Sequence, residues 1–372
     1  MTRLIFFDFE VFTKLWTVVL IDPMQHEETV IINDQAKLEN YYDSHKNDIF
    51  VGYNCRQYDQ WIFKGILAGF EAKKINDWII LENKKGWEFS DLLKKFPINI
   101  FDVFNGFNGL KTLEAFMGND IRETTIPFDY AGDFSQSMID EVIRYNRHDV
   151  EQTIAVFIQR KAMFDSHVSL LHTFSLPISN IGKTQAQLSA IILGARSIQC
   201  NDEWSIRLPD TLMLRKYSVI SKWFLDAVSH SADKSLEIDV AGVPHVFAWG
   251  GVHGAISQYQ HTCNNDETFL MIDVDQLYPS LMVHYNLLSR AVHEPKRFEK
   301  ILATSLKLKK EGKKKEREPY KLICNITYGA MGDSYNPMFD PLHRKLVCVF
   351  GQVLILDLIE KIEQYCQLIQ ST

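Results

Sequence analysis

Asp8 and Glu10 stand two residues apart at the end of an apolar run that begins at Leu4. Side chains two apart on a strand project from one face, so the two carboxylates share it. Such a pair repels itself unless a cation joins it, and Mg²⁺ or Mn²⁺, hard ions that prefer oxygen ligands, are natural partners. Alone, an Asp-x-Glu pair is far more often a solvated strand end. The segment GYNCRQYDQWI adds Asn54, Tyr58 and Asp59 just ahead of the helical run Trp61 to Leu67. Asp59 therefore reads either as an N-cap, where aspartate bonds free backbone N–H groups, or as a third acid of the same site. YNRHD supplies Tyr145 and Asp149, neighbours on one face of a long helix, although a tyrosine so placed is often simply core. His148, beside Asp149, reads as a surface or capping residue.

A second set lies further along. In MIDVDQLYPSL, Asp273 ends an apolar strand running from Phe269 to Ile272. A buried strand entering a proline turn accounts for Pro279 but not for the whole string. In KLICNITYGAMG, Lys321, Asn325 and Tyr328 fall at i, i+4 and i+7 on one helical face. A lysine there is a point charge suited to a triphosphate. Between the two lies LKLKKEGKKKER, either a solvated helical hairpin or a phosphate-binding face.

These residues need elements to hold them. Residues 1–165 alternate strand-like and helix-like segments, with strands at Leu4 to Phe9 and Trp16 to Ile21 and a closing helix over Met138 to Met163, an α/β pattern. Residues 166–240 read as helix and loop, including a helix over Gln185 to Arg196, and Gly250-Gly251 marks a tight turn. A strand at Phe269 to Val274 precedes a charged helical pair, Glu294 to Lys310 and Pro319 to Tyr328, joined at Glu311-Gly312. Proline favours the start of the second helix and Gly329 its end. A long apolar helix follows from about Lys345. The expected fold is α/β and multidomain.

The 372 residues exceed what one core usually organises. The net charge of −7 excludes a protein that coats nucleic acid without specificity, while leaving room for a local basic patch. The six cysteines are scattered, with no zinc-binding spacing, and read as reduced thiols of an intracellular protein. No run has the length of a signal peptide core or of a membrane helix. The expected location is the cytoplasm.

Taken together, the strings resemble the family B DNA polymerases. Asp8-Phe9-Glu10, the Asn54 to Asp59 segment and Tyr145 to Asp149 are similar to the three motifs of the proofreading exonuclease, and MIDVDQLYPSL and KLICNITYGAMG to palm and fingers motifs. The resemblance implies an RNase H-like 3′→5′ exonuclease domain (1–165), a helical connection (166–240), a first part of the palm (241–293), helical fingers (294–335) and a truncated second part of the palm (336–372). It implies that Asp8, Glu10, Asp59 and Asp149 hold two Mg²⁺ or Mn²⁺ ions, that Tyr145 orients the attacking water, and that Asn54 bonds a single-stranded 3′ end. For synthesis it implies two ions on Asp273 and the Val274 carbonyl, with a dNTP against Tyr278, Lys321, Asn325 and Tyr328. Asp275 stands where the family often has asparagine. Gly250 and Gly251 resemble a pair that touches template backbone, although Ala248 replaces the family's leading tyrosine. The second palm aspartate of the family is not found after Tyr328; Asp333, Asp340 and Asp357 do not fit, and LIQST reads as the strand that leads into that motif. DNA, as primer-template or single-stranded end, is the implied partner, with a C-terminal polymerase fragment or replication proteins as further ones. Hydrolysis without synthesis is the expected activity, with a stand-alone exonuclease or a split subunit as alternatives.

Overall fold

Five strands make the sheet of the first unit, Met1–Gly182: β1 (Leu4–Val11), β2 (Trp16–Asp22), β3 (Glu27–Ile32), β4 (Ile49–Gly52) and β5 (Asn99–Asp102). The order is β3-β2-β1-β4-β5, with β1, β2 and β3 antiparallel and β4 parallel to both β1 and β5. The computed structural model describes residues 2–104 and 106–372.

Alternation along β1 decides which side chains meet which helix. Ile5, Phe7, Phe9 and Val11 join Trp61, Ile62, Phe63 and Ile66 in one core. These core residues of 61–66 belong to α2 (Asp59–Leu67), which with α1 (Gln35–Ser44), α3 (Ala72–Ile80) and α4 (Ser90–Lys95) lies between β3 and β5 in sequence. Phe7 and Phe63 are fully buried, and each such ring contributes about 1.5–3 kcal/mol. In the opposite phase, the Phe6 ring meets Phe157 at 5.1 Å. Phe157 belongs to α6 (Gln136–Gln159), which follows α5 (Leu110–Met117). Asp8 and Glu10, in phase with Phe6, therefore face α6.

Ser135 caps α6 by accepting the Met138 N–H. The single helix expected from Met138 to Met163 is broken at Arg160, whose backbone leaves helical geometry while its guanidinium donates to the Val103 carbonyl. Met163 falls in the next helix, α7 (Lys161–Thr173).

In the second unit, Lys183–Thr372, Thr184 opens α8 (Gln185–Leu193) with a reciprocal cap to Gln187. That helix stops at Gly194, in the left-handed region at φ 65, short of the expected Arg196. After α9 (Ser218–Leu225), β6 (Ser235–Val240), β7 (Val243–Ala248) and β8 (Gly251–Ala255) form an antiparallel meander. Trp249 and Gly250 make its two-residue turn, and Gly251 opens β8. The turn tryptophan is buried against Trp223 and Phe224. Helices α10 (Leu277–His284), α11 (Pro295–Lys310), α12 (Lys314–Ala330) and α13 (Pro341–Ile362) follow, and β9 (Gln370–Ser371) pairs with β8. Val349, Val353 and Ile359 of α13 pack with Phe224, Phe247 and Trp249 in this unit's core.

Two expectations for this half are corrected. Phe269–Val274 is not a strand: it pairs with nothing among the described residues, and Met271 is 92% exposed. An apolar run has strand propensity, but a ladder needs a second strand to satisfy its N–H and C=O groups. Pro319 lies inside α12 rather than at its start. The charged turn Lys314 to Glu318 extends the helix N-terminally in solvent, and the missing proline N–H forfeits one backbone bond in its second turn. All six cysteines are free thiols. No helix among the described residues is long and apolar enough to cross a membrane.

Candidate metal centre and nucleic-acid site

β1 delivers Asp8 and Glu10 side by side, and α6 delivers Asp149 opposite them. Single oxygens of Asp8, Glu10 and Asp149 lie within 4.8 Å of one another. Asp59 joins from the first turn of α2. It is not the N-cap; Tyr58 is, and the Asp59 carboxylate instead accepts the Phe9 N–H at 2.9 Å. That bond fastens α2 to the strand residue between the two acids.

Like charges crowd this group. Asp8 and Glu10 are held well above the usual carboxylate range, first by burial and then by neighbouring acids: Asp59 and Glu10 on Asp8, Asp149 and Asp59 on Glu10. Burial pushes Asp59 up to about 7. Burial also raises Asp149, against the pull of Lys111. An all-oxygen donor set, buried and electrostatically unbalanced, fits hard divalent cations. Asp8, Glu10 and Asp149 could hold such an ion.

Tyr145 lies one turn before Asp149 on α6 and bonds its carboxylate. Burial, then Glu10 and Asp149, hold its hydroxyl far above the usual phenol range, so it keeps its proton. Asn54 has φ 55 and is exposed, held by a backbone bond to Asp102.

Four further residues shape the site, none of them singled out from the sequence. Asn146, fully buried, donates to the Asp8 carboxylate at 2.9 Å and to its backbone carbonyl at 3.0 Å, and accepts from Thr17 at 3.2 Å. Its signal was present, since it precedes Asp149 by three residues and shares its helical face. Asp102 ends β5 and accepts the N–H groups of Asn54, Arg56 and Phe104, each at 2.9 Å, which fixes the loop ahead of Asp59. Lys111 of α5 ion-pairs with Asp149 and places its ammonium 4.9 Å from the centre of the Tyr145 ring. Glu114, one turn along α5, lies 3.4 Å from Lys111 and 3.4 Å from His148. His148 is thus buried rather than on the surface, turned inward by this carboxylate. No local sequence signal marks Lys111 or Glu114, because their partners are tens of residues away.

Removing the Asn146 amide tests how firmly the acids are seated. Asn146→Ala should cost about 2–3 kcal/mol, since three bonds are lost and one reaches a carboxylate. The measurement is the urea midpoint of the metal-free protein; an unchanged midpoint would mean that Asp8 needs no clamp.

In the second unit, Asp273 and Val274 lie in the exposed, unpaired stretch. Asp273 belongs to no group of potential metal ligands among the described residues. Asp275 ion-pairs with Lys309 of α11. The Tyr278 and Tyr328 rings meet at 4.5 Å, with the Arg344 guanidinium 5.5 Å from the Tyr328 centroid and the Tyr278 hydroxyl 3.8 Å from Cys348 Sγ. Lys321 is part-exposed, 4.0 Å from Glu318, and Asn325 is exposed. Gly250 and Gly251 lie in the β7–β8 hairpin.

No protein-family model matches the chain, and no curated protein matches it. Over its whole length it is similar, distantly, to a solved structure of the family B DNA polymerase from the hyperthermophilic archaeon Pyrobaculum calidifontis, at 13% sequence identity and a TM-score of 0.46. The match covers 100% of this chain and 52% of that one, so the chain spans about half of that polymerase's length.

Proposed function

We propose that the first unit is a divalent-metal-dependent 3′→5′ exonuclease acting on single-stranded DNA ends, within a chain of DNA polymerase type. One observation carries the hydrolytic reading: Asp8, Glu10, Asp59 and Asp149, from three separate elements, converge in a buried group with a protonated tyrosine beside them. The sheet order and the placement of Asp8 and Glu10 on its central strand support the RNase H-like expectation. Direction and substrate rest on the motif resemblance.

Bound Mg²⁺ or Mn²⁺ would activate water and stabilise the leaving oxygen. The chain's own residues do the rest. Asp8, Glu10, Asp59 and Asp149 supply the oxygens, Asn146 and the Phe9 N–H fix two of them, and the Tyr145 hydroxyl orients the water. Asn54, exposed in its loop, would meet the strand end. Water adds to phosphorus, the P–O3′ bond breaks, and a nucleoside 5′-monophosphate leaves with the proton passing to the new 3′-hydroxyl.

A second reading, nucleotide incorporation, is supported by Tyr278, Tyr328 and Arg344 clustering on α10, α12 and α13, with Lys321 and Asn325 on the same helix as Tyr328. Asp273, with Val274, would bind the ions of a dNTP there, and Gly250-Gly251 would touch template. Because Asp273 belongs to no group of three potential metal ligands among the described residues, we propose that this chain alone hydrolyses and does not synthesise, and that synthesis requires a further polypeptide.

A single-stranded oligonucleotide labelled at its 5′ end, incubated with Mg²⁺ or with chelator, distinguishes these. The expected result is a ladder of shortened, still labelled products only with metal, and no extension of a primer-template given dNTPs. Internal cuts, or loss of label as mononucleotide, would overturn the 3′→5′ reading; extension would overturn the division of labour.

A further inference from the structure

We propose that Lys111 is a resident counter-cation that moves from Asp149 to Glu114 when the acid group takes up metal, so that Glu114 sets metal affinity without being a ligand. The inference rests on the metal-dependent reading above.

The ammonium already has two seats. It ion-pairs with Asp149 and lies 3.4 Å from Glu114 Oε1. That oxygen is fully buried and makes no hydrogen bond, while its twin Oε2 is held by His148 at 3.4 Å. A buried carboxylate oxygen left this way is costly unless a cation serves it. Lys111 and Glu114 are three residues apart on α5, so the transfer needs a side-chain rotation and no backbone movement. The Tyr145 ring, 4.9 Å from the ammonium, lends a favourable face to a cation in that position.

The exchange answers a problem of charge. A lysine on Asp149 neutralises one acid in the metal-free protein, yet the same lysine opposes any divalent ion that needs that acid. With Glu114 beside it, the ammonium has somewhere to go when a divalent ion reaches Asp149. Without Glu114 it stays and competes. Glu114, His148 and Asp149 also offer ligand atoms within 4.8 Å of one another. Lys111 already touches two of the three, which makes the ammonium the cation of that corner.

Mn²⁺ binding, followed by calorimetry and by the spin-resonance signal of free Mn²⁺, tests this on the full chain near neutral pH. Glu114→Gln should bind the same number of ions roughly 10-fold more weakly. Lys111→Met should bind at least as tightly as the unaltered protein, and Glu114→Gln with Lys111→Met should return to the level of Lys111→Met. Three results would each overturn the proposal: unchanged affinity in Glu114→Gln, an ion missing from its stoichiometry, or a double variant as weak as Glu114→Gln. Should Glu114→Gln not fold, weaker binding by Lys111→Met still overturns it. Equal Mn²⁺ binding by the unaltered protein and Asp8→Ala would instead remove the metal centre itself.

Discussion

Asp8→Ala should lower metal-dependent hydrolysis of single-stranded DNA by at least roughly 10²- to 10³-fold, the loss typical when a preorganised charged contact to the reacting centre is removed. The reasons are local. Asp8 is placed on the central strand, fixed by Asn146 at 2.9 Å, and grouped with Glu10 and Asp149 within one ion's reach. Replacing it removes a ligand and one bond of the Asn146 amide, while its neighbours lose a repulsive charge, so the fold should suffer far less than the activity. Single-turnover cleavage of a 5′-labelled strand, with a melting curve beside it, separates the two. Cleavage at the unaltered rate would end the assignment of this group as the nuclease centre.

Burial of these acids predicts an unusual dependence of stability on pH. Asp59 titrates at about 7 when folded, well above an unfolded aspartate near roughly 4. Between these values the folded chain keeps a proton that the unfolded chain has released. Stability from this group therefore falls as pH rises through the window from about 4 to about 7, opposite to a salt-bridged carboxylate. In metal-free protein, Asp59→Asn should melt above the unaltered chain at pH 8 and approach it at pH 5. The gap should be on the order of a few kcal/mol, or several degrees at roughly 2–4 °C per kcal/mol for a unit of this size. The amide oxygen can still accept the Phe9 N–H, so the comparison isolates the charge. Saturating Mg²⁺ should raise the unaltered chain and close the gap. If Asp59→Asn melts lower at pH 8, the carboxylate is not under the strain described.

What could be read from the residues in order was what depends on near neighbours. Period two placed Asp8 and Glu10 on one face of β1, and period 3.6 placed Tyr145 and Asp149 on one face of α6. The structure brings these together, with Asp59 as the fifth member. The partner of Asp59 was not legible, since the Phe9 N–H lies fifty residues earlier. Nor were Lys111 and Glu114, whose meaning comes only from Asp149 and His148. His148 read as surface or capping because Tyr145 already filled the water-orienting role; a fully buried carboxylate beside it turns it inward. Asn146 could have been found from its spacing and was passed over. In the second unit, the helical pair and the turn at Glu311-Gly312 followed from pattern, while the strand at Phe269–Val274 failed because pattern speaks to propensity and not to the presence of a pairing partner.

That unpaired stretch has a consequence for solubility. Five of its six side chains are apolar and exposed, a window of the kind that pairs with copies of itself in stacked strands. The sixth is Asp273, whose negative charge would sit in register with its own image in any such stack. It would thus act against aggregation as well as being the proposed metal-binding residue. Neutralising it removes a carboxylate and a colloidal safeguard in the same stroke.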